Sequence, residues 1–228
     1  MFSDSEFFYS NKYLKYLTGG NVKNINQLVI LTVPHETCID HIDHYCDYYA
    51  NKLAMSLKNV LFKKYDITIV HGNINRLQID LNRIQSRNTK FREKIREIVN
   101  QFNIKNKSNN IIYIIDCHSF PFEKSGEYDF ATDEVKDPQT TILYDTAIER
   151  KYANILESIL RTKNINVTNL PGIHNDIIDE FSNIHKHDLH IIPILIEVRE
   201  DLTNKQLNDV ANSVDQWITT INKDLFDK

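Results

Sequence analysis

Short apolar runs alternate along the chain with longer segments in which apolar residues recur every three or four positions, and these two patterns predict strands and helices respectively. Several of the short runs are continuously apolar and do not alternate with polar residues, which is typical of strands covered on both faces. Six runs predict strands: Gln27–Val33, Ile67–His71, Leu77–Leu81, Ile111–Asp116, Asn164–Thr168 and Ile194–Val198.

Helical spacing is found in four segments. The first is marked by Ile42, Cys46, Tyr49, Leu53, Leu57 and Val60, and the others are Lys90–Phe102, Thr146–Leu160 and Leu207–Leu225. Strands that alternate with helices favour an α/β fold, in which a mostly parallel mixed sheet is sandwiched by helices in three αβα layers. No repeat or composition break divides the chain, so we expect a single domain over residues 1–228.

The composition narrows the classes of function. With 41% hydrophobic and 25% charged residues, the chain is not expected to be disordered, and no apolar run approaches the roughly 20 residues that span a bilayer. A net charge of −4 without a basic block argues against binding to nucleic acid or an anionic membrane. The N-terminus lacks the features of a signal peptide, and no cysteine belongs to a C-x-x-C pair. We therefore expect a reducing, cytoplasmic setting.

Polar residues suited to metal chemistry lie at the ends of four predicted strands. Because ligands of open α/β sheets bind at the carboxyl ends of the strands, these residues are expected to lie near one another. Two histidines, nearby carboxylates, a glutamate in an apolar run and an arginine are the components of a catalytic zinc site. The four segments are Pro34-His35-Glu36, Asp80-Leu81-Asn82-Arg83, Asp116-Cys117-His118-Ser119 and Ile196-Glu197-Val198-Arg199.

Each of these residues also has a purely structural explanation. A histidine after a strand, such as His35 or His118, is usually a hydrogen-bonded loop residue. Glu197 is a candidate for a buried salt bridge with Arg199 or Arg83, since a charge is seldom buried without a partner. The combination of these residues at one sheet edge, and not any one of them alone, predicts a metal site.

The order of the motifs resembles that of the N-formylglutamate amidohydrolase family and, more distantly, that of the zinc carboxypeptidases and aspartoacylase-type deacylases. The pattern P-H, R-x-x-x-D-x-N-R, D-x-H-S and a late I-E corresponds here to Pro34-His35, Arg76–Arg83, Asp116–Ser119 and Ile196-Glu197. The resemblance implies a zinc-carboxypeptidase-like three-layer fold and one bound Zn²⁺ ion. It also implies hydrolysis of an amide bond in a small molecule or short peptide that carries a free carboxylate.

The resemblance assigns roles to individual residues. His35 and His118 would ligate the zinc ion, and Asp80 would accept a hydrogen bond from His35, which fixes the tautomer of the ring. Glu197 would take a proton from the attacking water and pass it to the leaving nitrogen. Arg76 would stabilise the oxyanion.

Neighbouring residues would complete the site. Arg83, helped by Asn82, would bind a substrate carboxylate, for which a planar bidentate donor is suited. Asp116 precedes His118 by two residues, so both side chains are expected on one face of a strand, where Asp116 would support the histidine.

The acidic metal ligand is the part of the pattern that the sequence leaves open. Carboxypeptidases and aspartoacylases supply it as H-x-x-E, but the residue three positions after His35 is Cys38. Glu36 is adjacent to His35, and Asp47 belongs to a D-x-x-x-D segment that resembles the helix start of the amidohydrolases; the two are equal candidates. The lower-ranking candidates are Asp40, Asp43 and Cys38.

The leading hypothesis is therefore a zinc-dependent amidohydrolase that acts on an N-acyl amino acid, such as N-formylglutamate, or on a short peptide next to a free carboxylate. The missing H-x-x-E keeps an alternative open, a catalytically inactive descendant that binds a carboxylate ligand or a protein partner. His174 is a candidate substrate contact, and Glu123–Gln139 is expected to be a loop that borders the site. The histidines expected to be solvated are His41, His44, His185, His187 and His190.

Overall fold

Strands and helices alternate through the computed structural model, which describes residues 7–11, 26–35, 47–72, 74, 76, 79–105, 110–122, 137–171, 175–182 and 189–226. The strands are β1 (Phe7–Asn11), β2 (Asn26–Val33), β3 (Asp66–Gly72), β4 (Asn110–Phe120), β5 (Thr140–Tyr144), β6 (Val167–Pro171) and β7 (Leu189–Arg199). The helices are α1 (Ala50–Leu61), α2 (Lys90–Lys105), α3 (Ala147–Thr162), α4 (Asp176–Ser182) and α5 (Asn204–Phe226), with a 3₁₀ helix at Ile84–Asn88. Within these ranges, no helix has the length and apolar character needed to cross a membrane.

The strands form one seven-stranded sheet in the order β1-β3-β2-β4-β7-β5-β6. The central strands β3, β2, β4 and β7 are parallel to one another. β1 pairs antiparallel with β3, and β5 pairs antiparallel with β7 and parallel with β6. The predicted α/β fold with a mostly parallel mixed sheet is therefore confirmed.

Side-chain alternation along the strands divides the apolar core into two halves. On β4, the odd-numbered residues from Ile111 to Cys117 pack with α1, α3 and α5, whereas Ile112 and Ile114 pack with α2 and α4. Helices thus cover both faces of the sheet and complete the three layers. This burial on both faces explains why residues 111–115 of β4 form a continuous apolar run.

The crevice between the carboxyl ends of β2 and β4 lies where the chain changes direction across the sheet. From β2 the chain passes through α1 to β3 on one side, whereas β4 lies on the other side of β2. In open α/β sheets ligands bind in the crevice at such a point. The residues that follow β2 and those at the end of β4 therefore line the expected site.

The predicted strand Leu77–Leu81 is wrong in its described part, residues 79–81, which form a turn outside the sheet. The Asp80 carboxylate accepts the backbone N–H of Asn82 at 3.0 Å, and the Asp80 carbonyl accepts the N–H of Arg83 at 3.1 Å. An aspartate side chain that bonds the nearby backbone in this way competes with strand pairing. The apolar pattern of the segment does not reveal this competition.

The boundaries of other elements also differ from the prediction. β4 continues beyond Asp116 to Phe120, so His118 lies inside the strand and not after it. β6 begins only at Val167, because the chain leaves α3 through Asn164, which has a φ of 58°. The sequence pattern does not predict β1, β5 or α4, since elements of five to seven residues contain too few positions for a period to be recognised.

Candidate metal centre

His35 follows β2 directly, after Pro34, and its side chain is buried. Its Nε2 atom donates to Asp80 Oδ1 at 2.8 Å, because a carboxylate can only accept. Nδ1 is then the ring atom that carries a lone pair, and it lies 3.4 Å from Asp47 Oδ2. This Nδ1 is buried and has no hydrogen-bond partner among the described residues.

His118 shares one face of β4 with Asp116, as strand alternation requires. Its Nε2 atom lies 3.0 Å from Asp116 Oδ2. Asp116 is fully buried and accepts hydrogen bonds from Thr32 Oγ1 at 2.5 Å and from Asn175 Nδ2 at 2.9 Å. The Nε2 side of the His118 ring therefore contacts the Asp116 carboxylate, whose orientation is fixed by hydrogen bonds from Thr32 and Asn175.

Asp47 lies shortly before α1 and is the carboxylate that both histidines approach. Its Oδ2 atom is 2.6 Å from His118 Nδ1, in addition to its 3.4 Å distance from His35 Nδ1. The backbone N–H of Asp47 also donates to the His35 carbonyl at 3.0 Å, which ties the two segments together. The two imidazole rings pack edge to face, with their centroids 5.1 Å apart and an angle of 72° between their planes.

These three residues could hold a metal ion, because one ligand atom from each lies within 4.8 Å of the others. A tetrahedral zinc ion with bonds of about 2.1 Å separates its ligand atoms by about 3.4 Å. The distance between His35 Nδ1 and Asp47 already has this value, and the shorter contact between His118 and Asp47 would have to open by about 0.8 Å. Carboxylates behind both Nε2 atoms are the usual support of metal-bound imidazoles. The donor set therefore fits zinc.

The histidines and carboxylates of the cluster shift one another's pKa values towards the charged forms. Burial alone would raise the pKa of Asp47, but the charges and hydrogen bonds of His118 and His35 hold it well below its usual range. Burial alone would lower the pKa of His118, but the charges of Asp116 and Asp47 raise it well above its usual value. This raised pKa favours the protonated form of His118 between the two carboxylates in the metal-free protein. A metal ion bound at Nδ1 would take the place of its proton.

Glu197 lies on β7 opposite His118 in the register of the sheet. Residues at one level of neighbouring parallel strands point to the same face, and the strands are about 4.8 Å apart, so Glu197 lies beside the cluster. It has no ion pair with Arg199, which binds Asp137 and Asp201 instead. Burial raises the pKa of Glu197 to about 8, although part of the side chain remains exposed. A carboxylate with a raised pKa next to a group of potential metal ligands is suited to proton transfer.

Two arginines meet at Asp80. Arg76 Nε donates to Asp80 Oδ2 at 3.2 Å, and Arg83 Nε lies 3.5 Å from the same oxygen. Burial alone would raise the pKa of Asp80, but the hydrogen bond and charge of His35 and the charge of Arg76 hold it well below its usual range. The side chains of Arg76 and Arg83 are 30% and 44% exposed, so solvent reaches both beside the cluster.

Other predicted residues take different positions. Asn82 is buried, and its Nδ2 atom lies 2.7 Å from His118 Nε2, while its Oδ1 atom has no hydrogen-bond partner among the described residues. His190 is exposed at the start of β7, at the opposite end of that strand from Glu197. The candidates that lie outside the described residues are Glu36, Cys38, Asp40, Asp43, His41, His44, His174, His185 and His187, with most of Glu123–Gln139.

Some residues around the cluster have no role in the sequence prediction. Thr32 and Asn175 orient Asp116, and Ser119 and Glu200 bond the backbone just after Asp47. Thr32 interrupts an apolar strand with a hydroxyl, which is a detectable signal because a buried hydroxyl needs a partner. Asn175 and Glu200 lie outside every motif, and only the tertiary structure brings them to the site.

The fold and the cluster define a class of protein, a three-layer α/β fold with a His/Asp/His group at the carboxyl ends of its central strands. Among solved structures, an N-formylglutamate amidohydrolase from Ralstonia eutropha is similar, with a TM-score of 0.65 and 11% identity over 96% of this chain and 99% of that chain. A gene product from Agrobacterium tumefaciens has a TM-score of 0.61 and 13% identity over 89% and 91% of the two chains.

A cell shape determinant protein from Helicobacter pylori is also similar, with a TM-score of 0.53 and 10% identity over 95% of this chain but 55% of that chain. No protein-family model matches the sequence, and no curated protein matches it either. The resemblance predicted from the motifs is thus confirmed at the level of the fold. Structural similarity at 10–13% sequence identity demonstrates a shared fold.

Proposed function

We propose that this chain is a zinc-dependent amidohydrolase that binds one Zn²⁺ ion through His35, Asp47 and His118. Its substrate is an N-acyl amino acid, such as N-formylglutamate, or a short peptide cleaved next to a free carboxylate. The observation that carries the proposal is the convergence of both Nδ1 atoms on Asp47 Oδ2, with a carboxylate behind each Nε2. Two imidazoles and one carboxylate leave a fourth position for water or substrate, as in catalytic zinc sites.

Glu197 is the proposed acid–base residue. Bound zinc would supply a Lewis acid and lower the pKa of a water molecule. Glu197 would accept the proton of the attacking water and deliver it to the leaving nitrogen of the amide. Its pKa of about 8 belongs to the metal-free protein, and a nearby cation favours the ionised carboxylate. With the ion bound, we therefore expect Glu197 to be ionised at neutral pH, as a base must be.

The two arginines at Asp80 are proposed to bind the negative charges of the substrate. Arg76 would stabilise the oxyanion that develops at the scissile carbonyl. Arg83, together with Asn82, would bind the free carboxylate. Their shared partner Asp80 keeps both cations next to His35, which supports a substrate that presents its carbonyl and its carboxylate on the same side of the ion.

Three further observations support the proposal. The fold is similar to that of a protein whose name states N-formylglutamate amidohydrolase activity. One sheet joins β1 through β7, which supports a single domain over residues 1–228. Cys117 is a free, buried thiol, which agrees with the reducing, cytoplasmic setting that we propose from the cysteine pattern.

Metal analysis and hydrolysis assays test the proposal together. We expect about one zinc ion per chain in the wild type, less in D47A, and release of formate or another acid from a panel of N-acyl amino acids that includes N-formyl-L-glutamate. E197Q should retain zinc and lose at least about 100-fold in kcat. Near-normal turnover of E197Q would rule out the assigned base. A wild-type protein without zinc and without turnover would favour the inactive, ligand-binding alternative.

A further inference from the structure

Helix α1 begins without a side-chain cap of its own. Its N-cap residue, Tyr49, forms no side-chain capping bond, and the first turn contains no acidic residue. The N–H groups at a helix start nevertheless need acceptors. Two residues from distant strand ends supply acceptors for the two N–H groups just before the helix, so side chains from elsewhere in the chain help to hold the start of α1.

Ser119 and Glu200 provide these acceptors. Ser119 Oγ accepts the N–H of Tyr49 at 3.0 Å, and Glu200 Oε1 accepts the N–H of Tyr48 at 3.1 Å. Ser119 Oγ in turn donates to Glu200 Oε1 at 2.9 Å, which joins the two acceptors. The Glu200 N–H also donates to the Phe120 carbonyl at 2.9 Å, so the backbone at Glu200 is bonded to the end of β4.

The anchored residues come directly after Asp47. The Asp47 N–H is bonded to the His35 carbonyl, and the Asp47 carbonyl accepts the N–H of Ala50. With the bonds to Tyr48 and Tyr49, each residue from 47 to 50 has its N–H in a hydrogen bond. The backbone that carries the carboxylate is therefore held on both sides.

Two consecutive residues of β4 contact the segment that carries Asp47, and they do so from opposite faces of the strand. His118 lies on the cluster face and bonds the Asp47 side chain at 2.6 Å. Ser119 lies on the other face, where α1 packs, and bonds the backbone of the same segment. We propose that Ser119 and Glu200 are positioning residues that hold the Asp47 carboxylate against the two histidines and thereby set the affinity of the site for its metal. This inference rests on the proposed metal function.

The test compares zinc affinity and amide exchange in matched variants. S119A and E200A should weaken zinc binding by about 10- to 100-fold, the usual effect of removing a partner that orients a ligand. E200Q keeps an Oε1 acceptor for both bonds and should bind zinc as the wild type does. Affinity is measured by competition with a chelator of known zinc affinity, which requires no assumption about catalysis.

Two control variants separate positioning from loss of stability. S213A removes a buried serine hydroxyl from α5 whose hydrogen bond among the described residues is to the Asp209 carbonyl of the same helix, and A54G weakens α1 itself by about 1 kcal/mol. A54G should lower the melting temperature, S213A should change it little, and both should leave zinc affinity unchanged. Equal weakening by A54G and S119A would overturn the inference, as would unchanged affinity in both S119A and E200A.

Amide exchange in the metal-free protein tests the anchor independently of zinc. The Tyr48 amide should exchange about two- to tenfold faster in E200A, and the Tyr49 amide in S119A, whereas S213A should leave both unchanged. If the wild type binds no zinc, the proposed function fails, and the anchor is then judged by exchange alone. Unchanged exchange would show that neither side chain holds the segment and would overturn the inference.

Discussion

A histidine between two buried carboxylates keeps its proton much more firmly than a histidine in water. His118 is in this position, with Asp47 at Nδ1 and Asp116 at Nε2, and the charges of the two acids raise its pKa. The proton on Nδ1 occupies the direction from which a metal ion would be bound. At the scale of single residues, metal binding and protonation therefore compete for one lone pair.

Zinc affinity should consequently increase with pH. Below the raised pKa of His118, each bound ion displaces the His118 proton, and below about pH 8 Glu197 also loses its proton, so affinity should change by at least about tenfold per pH unit. Chelator competition at three pH values between 6 and 8 measures this slope. D116N, which removes the largest charge effect on His118, should make the slope shallower. An affinity that is the same at all three pH values would contradict the proposal that His118 must lose a proton before it binds the ion.

Glu197 should limit the stability of the metal-free protein at high pH. Its pKa in the folded state is about 8, above the ordinary value of 4.5, so the fold favours the neutral acid. The contribution of neutral Glu197 to the free energy of unfolding is complete below about pH 4.5 and is lost as the pH rises through about 8. Metal-free E197Q should therefore exceed the wild type in free energy of unfolding by on the order of 2–4 kcal/mol at pH 9.

The same comparison at low pH is the control for this prediction. Near pH 4, wild-type Glu197 is neutral in both states, so the difference from E197Q should be close to zero. Urea unfolding at both pH values gives the two differences. A difference that does not depend on pH would mean that Glu197 titrates normally in the folded protein.

Arg83 should affect substrate binding more than chemistry. R83A is expected to raise KM for carboxylate-bearing substrates by about 10- to 100-fold, the effect of a lost charged hydrogen bond, with little change in kcat. R161A is a suitable control, because Arg161 forms an exposed ion pair with Glu157 on α3. Steady-state kinetics on substrates with and without the carboxylate decides the matter. An R83A KM that equals the wild-type value for every such substrate would exclude the role.

At the scale of elements, α2 and α4 are joined by a buried arginine. Arg92 is fully buried and donates to Asp176 Oδ2 at 2.9 Å, to Glu180, and to the Leu81 carbonyl at 3.2 Å. It thereby holds the start of α4, where Asn175 reaches Asp116. Arg92 is therefore the fully buried link between α2 and α4, beside the more exposed ion pairs of Arg87 with Asp176 and of Arg96 with Glu180.

R92A should destabilise the protein by about 3–5 kcal/mol, because it leaves two acids without their buried partner. R96A removes a neighbouring ion pair with Glu180 that is one-third exposed and should cost less than about 1 kcal/mol. Urea unfolding of both variants measures the difference. Equal effects would mean that burial does not decide the contribution of this network.

At the scale of the whole molecule, the group formed by His35, Asp47 and His118 joins different segments of the fold. His35 follows β2, Asp47 precedes α1 and His118 belongs to β4. An ion bound by all three would link the two sides of the crevice. Binding should therefore stabilise the entire fold, since a ligand that binds only the folded state adds its binding free energy.

Zinc should raise the melting temperature by about 5–10 °C at 100 times its dissociation constant, which corresponds to about 2.7 kcal/mol for a chain of this size. H118A should show no such increase, whereas H190A, at an exposed position on β7, should behave as the wild type does. Thermal melts with and without zinc measure the shift. A normal shift in H118A would place the ion elsewhere.

The parts of the fold that follow from local pattern could be predicted. The apolar runs of β2, β4 and β7 and the helical spacing of α2, α3 and α5 are long enough to reveal their period. β5, which has five residues, is held by pairing with distant strands. The turn at Asp80 depends on a side-chain bond that the apolar pattern does not encode.

The sequence by itself determined the layered α/β class and placed His35, His118 and Glu197 near one sheet edge. This was possible because the position of a residue at the end of a strand, and the face to which its side chain points, follow from the local sequence. It left Glu36 and Asp47 equal as acidic ligand candidates. Only the tertiary structure brought Asp47 between the two imidazoles, through its backbone bond to His35 and the contacts of Ser119 and Glu200. These bonds join residues that are distant in the chain, and their formation depends on packing of the whole sheet, which no local pattern records.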